Sequence, residues 1–446
     1  MEKDLDKTVE ALSGLLKGRA SSFEIFLNST TGVSVEAKEG KVDSFKRKKS
    51  VGAGIRTISG NRPGFAFSSV LTDEALEKTV SLALSGSLGA SQDPLVSFPF
   101  PKKSNASLDL LDDSFGKTTE EEKINIALRI EECAMSFDKR IKRVRKASYG
   151  ETFSLTRVVN SNGVDVSERE TFYSASVMAV AEDKGESQMG WETGMGHKRK
   201  DIDPCFIGKG ASVRAIELLG AKQIGTVKCP AVFENIVVTE FISALSTAFC
   251  ADSVQKGKSV LAGEKGKKVA SDKLNVFDHG VMKDGWGSSL FDAEGAPRQK
   301  TALLVEGVLQ GFLYDTYWAK REGVESTGNA ERGGFKGFPS IGVSNLYIEK
   351  GDKTLGTLFK DMDKGLFIKE IMGAHTIDPI SGDFSLGATG FWVENGALAY
   401  PVRGIAIAGN LLELFSRVSA VGSDMRFLGS VGSPSLLFSE LSASGA

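Results

Sequence analysis

Histidine is scarce, with three in 446 residues, His197, His279 and His375, far apart along the chain. No His-Glu-x-x-His or similar pair occurs, so no helix presents two imidazoles to one ion, and a zinc site built by this chain alone is not expected. The four cysteines, Cys133, Cys205, Cys229 and Cys250, form no Cys-x-x-Cys pair. Neither a cysteine zinc site nor a disulfide framework is indicated, and reduced thiols in a cytoplasmic protein are the expectation. No Gly-x-Ser-x-Gly elbow is present, and so few histidines leave few bases for a serine nucleophile. Charge of one sign is lacking too: Lys+Arg 55 against Asp+Glu 57 gives a formal net charge of -2. That argues against a strongly basic nucleic-acid surface, and the single basic run, Lys46 to Ser50, reads as a solvated strand edge. No stretch approaches the roughly 18 apolar residues of a membrane helix. The start, MEKDLDKTVEAL, is charged and amphipathic and has no apolar signal core.

What is present is glycine, 50 residues of it, and an ordinary 41% of hydrophobic residues, enough to bury a sizeable core. Asp4 to Lys17 predicts a helix with Val9, Leu12 and Leu16 on one face. Alternating runs follow, turning at Glu39-Gly40 and Gly60-Asn61, and then a helix capped by Thr72 or Asp73 with Gly86 beyond its end. Three of the 11 prolines, Pro94, Pro99 and Pro101, mark a linker or extended strap. Thr118 with Glu121, or Thr119 with Glu122, makes a capping box for the next helix. Strands return from Lys142 to Val180 around Asn162-Gly163, followed by a glycine-rich loop, GESQMGWETGMGHKRK, in which His197 reads as a surface residue, and by another helix. The two blocks share an order of hairpins, glycine loop and closing helix, as related modules would. From Pro230 one helix, about Asn235 to Ala251, precedes a long strand-rich region with a hairpin at Asn395-Gly396 and a last helix near Asn410 to Ser419. Grouped strands with occasional helices indicate an α+β fold. Mixed antiparallel sheet and helix modules come first, then a strand-rich, barrel-like C-terminal domain. The expected divisions are 1–92, a linker at 93–117, a central module at 118–226 and the C-terminal domain at 227–446.

Several stretches invite a chemical reading. Gly257-Lys258-Ser259 looks like the end of a phosphate loop, but Asp252 stands where the motif needs glycine, and the loop follows a helix and not a strand. Cys250 lies in an apolar helix, where a buried inert thiol is the expectation. The helical part of Phe241–Gly266 holds no His, Glu, Lys or Arg. Ser326–Gly334 and Asp378–Trp392 are small, polar and glycine-rich; such loops either let a backbone approach a ligand closely or make tight turns in a strand-rich domain.

The stretches KGKSVLAGEKG, SSLFDAEGAPRQKTALLVEGVLQGFLYD, STGNAER, VSNLYIEKGD, GDFSLGATGFWVENGALAYPV and IAGNLLELF, with SVEAKEGKVDSFKRKKSVGAGIRT near the start, resemble the TldD/PmbA family. Its members are described as modulators of DNA gyrase and as subunits of a two-chain metalloprotease. In the TldD branch a His-Glu-x-x-x-His motif on the helix before the K-G-x-S-V-x-x-G loop is expected to hold zinc, with the glutamate as general base and a cysteine near the C-terminus completing the site. Here the corresponding positions are Ile242, Ser243 and Thr247, and AVGSDMRFLGSVGSPSLLF has no cysteine. The resemblance therefore implies the PmbA/TldE branch. It implies a subunit that has no catalytic or metal-binding residue of its own, paired with a zinc-bearing TldD-like sister or with itself as a homodimer. Peptides are the implied substrates, with no membrane and no direct nucleic-acid partner. The glycine-rich loops would line the chamber or interface through Ser326, Thr327, Gly328, Asn329, Arg332, Gly387 and Gly390. An interaction protein acting on gyrase, and a metal-independent hydrolase, are the alternatives.

Overall fold

Period-two alternation in the first half of the chain builds one continuous sheet. The computed structural model describes residues 2–445. Helix α1 (Glu2–Leu16) leads into β1 (Ser22–Lys38), β2 (Lys41–Ser59), β3 (Arg62–Ser68) and α2 (Asp73–Gly89). Helix α3 (Glu120–Met135), β4 (Ile141–Asn160), β5 (Asp165–Asp183), β6 (Glu186–Gly196) and α4 (Pro204–Glu217) then repeat that order. The six strands are antiparallel in the order β3-β2-β1-β4-β5-β6, so the two repeats meet along β1 and β4. Along β1 successive side chains point to opposite faces. Ile25, Leu27, Val35 and Ala37 pack under the helices, whereas Glu24, Phe26 and Asn28 fall on the other face, which covers the C-terminal domain. The Glu39-Gly40 and Gly60-Asn61 turns both have positive φ, as tight hairpins require. Thr119 and Glu122 form the capping box of α3.

Four local expectations are corrected. The glycine-rich stretch after β5 is strand β6, not a loop: Gly190 and Gly194 let α4 lie so close that a Cβ would come within 2.2 Å of Ala211 O and 2.7 Å of Ile207. His197, at its end, is buried at 3% exposure, its Nδ1 2.9 Å from Thr171 O and its Nε2 3.0 Å from Gly285 O. Helix α2 runs past Gly86, which sits over Gly64 and Phe65 of β3. The thiols are not all reduced: Cys133 of α3 and Cys205 of α4 form a disulfide across Cα atoms 5.1 Å apart, because the two helices pack side by side. The proline-bearing segment between α2 and α3 is a strap tied down at the β4–β5 turn, where Asn162 Nδ2 donates to Phe98 O at 2.8 Å and Asn160 Nδ2 to Pro99 O at 3.0 Å.

The C-terminal half continues with β7 (Val227–Phe233), α5 (Asn235–Leu245), a 3₁₀ turn at Ser246–Phe249, α6 (Ala251–Gln255), β8 (Val276–His279), β9 (Lys300–Val305) and β10 (Val308–Leu309). Next come α7 (Thr316–Glu322), β11 (Ala330–Glu331), β12 (Ser340–Ile341), β13 (Leu346–Ile348), α8 (Leu355–Met362), β14 (Gly365–Met372) and β15 (Asp383–Glu394). The chain ends with β16 (Ala397–Asn410), α9 (Leu411–Ser416), β17 (Val418–Val421), β18 (Arg426–Leu428), β19 (Val431–Ser433) and β20 (Leu436–Ser444). Strands β7, β14, β15, β16 and β20 close into a five-stranded barrel, β16 returning to pair with β20, and a second sheet runs β10-β9-β8-β13-β19-β18. The fold is α+β with a closed barrel in its C-terminal region. Both faces of β14 are buried, which is why it reads as a nearly unbroken apolar run: Leu366 and Ile368 join the main core, and Phe367 meets Leu358, Phe359 and Met362 of α8. Among the described residues no helix is long and apolar enough to cross a membrane.

Candidate functional site

Helix α5, NIVVTEFISAL, is apolar on most sides and lies between β14 of the barrel and β18 and β19 of the second sheet. Val237, Phe241, Leu245 and Ala248 are buried in the main core, with Ala244 packed at its edge. The Phe241 ring lies 5.7 Å from Phe233 and 5.3 Å from Phe384. The helix is shorter than the sequence implies. It tightens into the 3₁₀ turn and breaks at Cys250, whose backbone is extended because the chain pairs there with Leu313: Ala251 N donates to Leu313 O at 2.9 Å and Leu313 N to Phe249 O at 2.8 Å. The loop that follows is held by Ser259, whose hydroxyl donates to Ala248 O at 2.8 Å. Cys250 is buried, and burial with Asp252, Asp278 and Asp315 nearby pushes its thiol up to about 12, so it is no thiolate nucleophile.

The positions to which the resemblance assigns metal chemistry do not share a face. Ile242 is buried at 3% exposure, while Ser243 and Thr247 are exposed. Five residues of helix rotate by roughly 500°, and the 3₁₀ turn intervenes, so Ile242 enters the core and Thr247 does not. Ser243 shares its side of the helix with Glu240, three residues earlier. Glu240 is the residue missed by a reading that began at Phe241. It is half-buried, and burial together with the Glu370 carboxylate pushes it up to about 7. Burial raises Glu370 of β14 as well, with Glu234 and Glu217 adding to the rise and Arg214 and Lys369 opposing it. These charges belong to a network between α4 and the barrel: Arg214 Nη2 meets Glu234 Oε2 at 2.9 Å, and Lys369 pairs with Glu217 and, at 3.7 Å, with Glu234.

The other proposed site residues separate into two groups. Ser326, Thr327, Gly328 and Asn329 are held within the C-terminal domain, and Arg332 reaches from it to the first sheet. The Ser326 and Thr327 hydroxyls donate to Tyr314 O, each at 3.1 Å. Asn329, 2% exposed, gives its Nδ2 to Asp278 Oδ2 at 2.8 Å and to Gly342 O at 3.0 Å. Gly328 has φ +73° and sits where a Cβ would come within 2.3 Å of Pro297 O. Arg332 pairs with Glu24 and stacks 4.6 Å over the Phe26 ring. Glu24 also takes Arg56 Nε at 2.9 Å, and Arg56 reaches Glu294 at 2.8 Å. Ser326 additionally borders a cleft of about 950 Å³ between the strap and α7. Gly387 and Gly390, expected in a loop, are instead in strand β15. Gly390 abuts Phe367 O of β14, 1.9 Å from where its Cβ would be, and Gly387 faces the Met372 side chain. Their small size serves the barrel wall.

Three family models match the chain in succession: PmbA/TldA metallopeptidase domain 1 over residues 23–87, the central domain over 113–219 and the C-terminal domain over 226–445. The chain belongs to the PmbA/TldD family. Among the relatives of this PmbA/TldD member is the Metalloprotease PmbA of Escherichia coli O157:H7, 29% identical over 452 residues that span 99% of this chain and 96% of the relative. The crystal structure of a candidate modulator of a DNA gyrase from Thermotoga maritima superposes with a TM-score of 0.91 at 29% identity, covering 99% of this chain and 100% of that one. TldE from Thermococcus kodakarensis shares the fold, with a TM-score of 0.90 at 23% identity over 98% of this chain and all 100% of its own. The positions to which the resemblance assigns metal chemistry carry one aliphatic and two hydroxyl side chains, Ile242, Ser243 and Thr247. Sequence reasoning also missed Glu168 and Glu170 of β5 and Arg298. The alternation in SERETF carried a usable signal for the two glutamates, which fall on one face of a strand. Nothing local marks Arg298 as buried.

Proposed function

We propose that this chain is the metal-free subunit of a two-chain PmbA/TldD-type peptidase acting on unfolded peptides, with zinc held by a TldD-like sister. The observation that carries the reading is α5: buried Ile242 and exposed Ser243 and Thr247 stand where the motif needs two imidazoles and a carboxylate. An aliphatic side chain and two hydroxyls do not fit a zinc ion. Among the described residues no group of three His, Cys, Asp or Glu side chains is arranged to hold a metal. The chain's part is to supply wall and binding surface, with Ser243 and Thr247 offering hydroxyls on the exposed side of the helix segment and Glu240 a carboxyl beside them. The name of the E. coli relative, Metalloprotease PmbA, supports the peptidase part of the reading. The buried, high-pKa thiol of Cys250 weighs against a cysteine hydrolase.

The test is hydrolysis of an unstructured peptide library by this chain, by a sister carrying His-Glu-x-x-x-His, and by their mixture, with and without a chelator. Cleavage by the mixture, abolished on chelation, with none by this chain alone, is the expected result. Chelator-resistant cleavage by this chain alone would sink the reading.

A further inference from the structure

A cleft of about 430 Å³ lies between the helix-free face of the six-stranded sheet and the C-terminal domain, and it shares no lining residue with α5. That size falls within the roughly 300–1,000 Å³ of small-molecule sites. On its C-terminal side are two guanidiniums with almost no exposure, Arg332 at 0% and Arg298 at 6% of the side chain. Arg332 spends Nη2 on Glu24, and its Nε and Nη1 have no partner. Arg298 pairs Nη2 with Glu331 and points Nε at Phe291 O at 3.4 Å, leaving Nη1 without one. Each arginine is thus neutralised in charge yet still holds unmet donors, which buried groups do not tolerate cheaply. What is missing is an acceptor.

The sheet side presents the complementary surplus. Glu168 and Glu170 are two apart on β5 and so project from the same face. Glu168 accepts from the Ser289 hydroxyl and, at 3.1 Å, from Leu290 N. Glu170 lies against it, and burial first, then the Glu168 charge, raises its carboxyl well above the ordinary range. Arg298 opposes that rise without cancelling it, and a cation beside Glu168 and Glu170 would relieve the repulsion between the two side chains. A simple anion would meet the Arg298 and Arg332 donors but face these glutamates. A simple cation would satisfy the glutamates and leave the donors unmet.

We propose that this cleft binds a small zwitterion, an α-amino acid or a short unblocked peptide, with its carboxylate on Arg298 and Arg332 and its ammonium group on Glu168 and Glu170. The site stands whether or not the chain is a peptidase subunit, because binding is read on this chain alone. A peptidase subunit carrying it would sense the class of product that peptide hydrolysis releases.

The experiment is calorimetric titration of the purified full chain with alanine, dialanine, N-acetyl-dialanine, dialanine amide and succinate. Dialanine or alanine is expected to bind, and blocking either end to weaken binding at least tenfold. Glu170→Gln, which mimics the protonated carboxyl and preserves its shape, should weaken the free peptide tenfold while leaving the N-acetylated one unchanged. Arg298→Gln should weaken every carboxylate-bearing ligand, and a circular-dichroism melt reports whether that variant folds. Blocked and free peptides binding alike, or no heat from any of them at millimolar concentration, would overturn the proposal.

Discussion

Glu240 shows what a single carboxyl gains and loses by sitting beside a core helix. In the unfolded chain it titrates near 4.5; in the fold, burial and Glu370 hold it to about 7. The folded state therefore binds the proton more tightly. Its contribution to stability is intact below the unfolded value and is lost as pH rises through the window from about 4.5 to 7. Glu240→Gln removes that dependence. With the shift discounted for a carboxyl that solvent still reaches, the variant's advantage over the parent should grow by on the order of 1 kcal/mol between pH 5 and pH 8, read from urea midpoints. Identical pH slopes for the two proteins would show that the site is already hydrated. At this scale the sequence was only partly legible. Arg332 stood out as a charged residue in a glycine-rich stretch, but its partner Glu24 lies 308 positions away, and no local pattern announces such a pairing. Nor did the sequence show that Ile242, one of the positions to which the resemblance assigns metal chemistry, turns inward.

Elements were most legible where one residue pair decides the backbone. Glu39-Gly40, Gly60-Asn61 and Asn395-Gly396 each take positive φ in both residues, and each hairpin was readable from that dipeptide. Glycine misled where tertiary packing, not turn geometry, required it. In β6 it admits α4, and in β15 it admits β14, so both stretches imitate loops. The β15 glycines also separate a structural role from a ligand-facing one. Gly390→Ala would place a Cβ 1.9 Å from Phe367 O, against backbone that cannot yield, whereas at Gly387 the nearest atom is Met372 Cε at 3.0 Å, the far end of a flexible side chain. Gly390→Ala should destabilise the chain by about 3 kcal/mol or more and Gly387→Ala by less than about 1 kcal/mol, measured by denaturant unfolding. Equal, small costs at both positions, together with lost peptide binding, would return these glycines to the chamber.

At the scale of the molecule, two polar clamps join the N-terminal half to the C-terminal domain: the Glu24–Arg56–Glu294–Arg332 cluster at the first sheet, and the Arg214, Glu217, Glu234 and Lys369 network between α4 and the barrel. The α+β class with a barrel in its C-terminal region was legible in the sequence as a change of pattern. That one sheet runs through both N-terminal modules was not, because the β1–β4 pairing joins segments separated by α2, the strap and α3, and a pairing of that range leaves no local trace. The same holds for the Cys133–Cys205 bridge, 72 residues apart in sequence. The first clamp is fully buried at its centre, Glu24 and Arg332 each having 0% side-chain exposure. Two arginines there share two glutamates, and removing one carboxylate charge leaves an uncompensated guanidinium in a desolvated site. Glu24→Gln keeps the shape and deletes the charge, and should therefore cost about 3–5 kcal/mol. Because the clamp couples the sheet to the C-terminal domain, the loss should also uncouple their melting. In the parent, unfolding followed by backbone circular dichroism and by tryptophan fluorescence should coincide. In Glu24→Gln the two transitions should part, since Trp318 and Trp392 lie in the C-terminal half, Trp191 lies in the sheet and Trp286 packs against Phe172 at the seam between them. A variant that melts in one coincident step, less than about 1 kcal/mol below the parent, would mean that apolar packing alone holds the halves together and that the buried charges serve register or ligand binding instead.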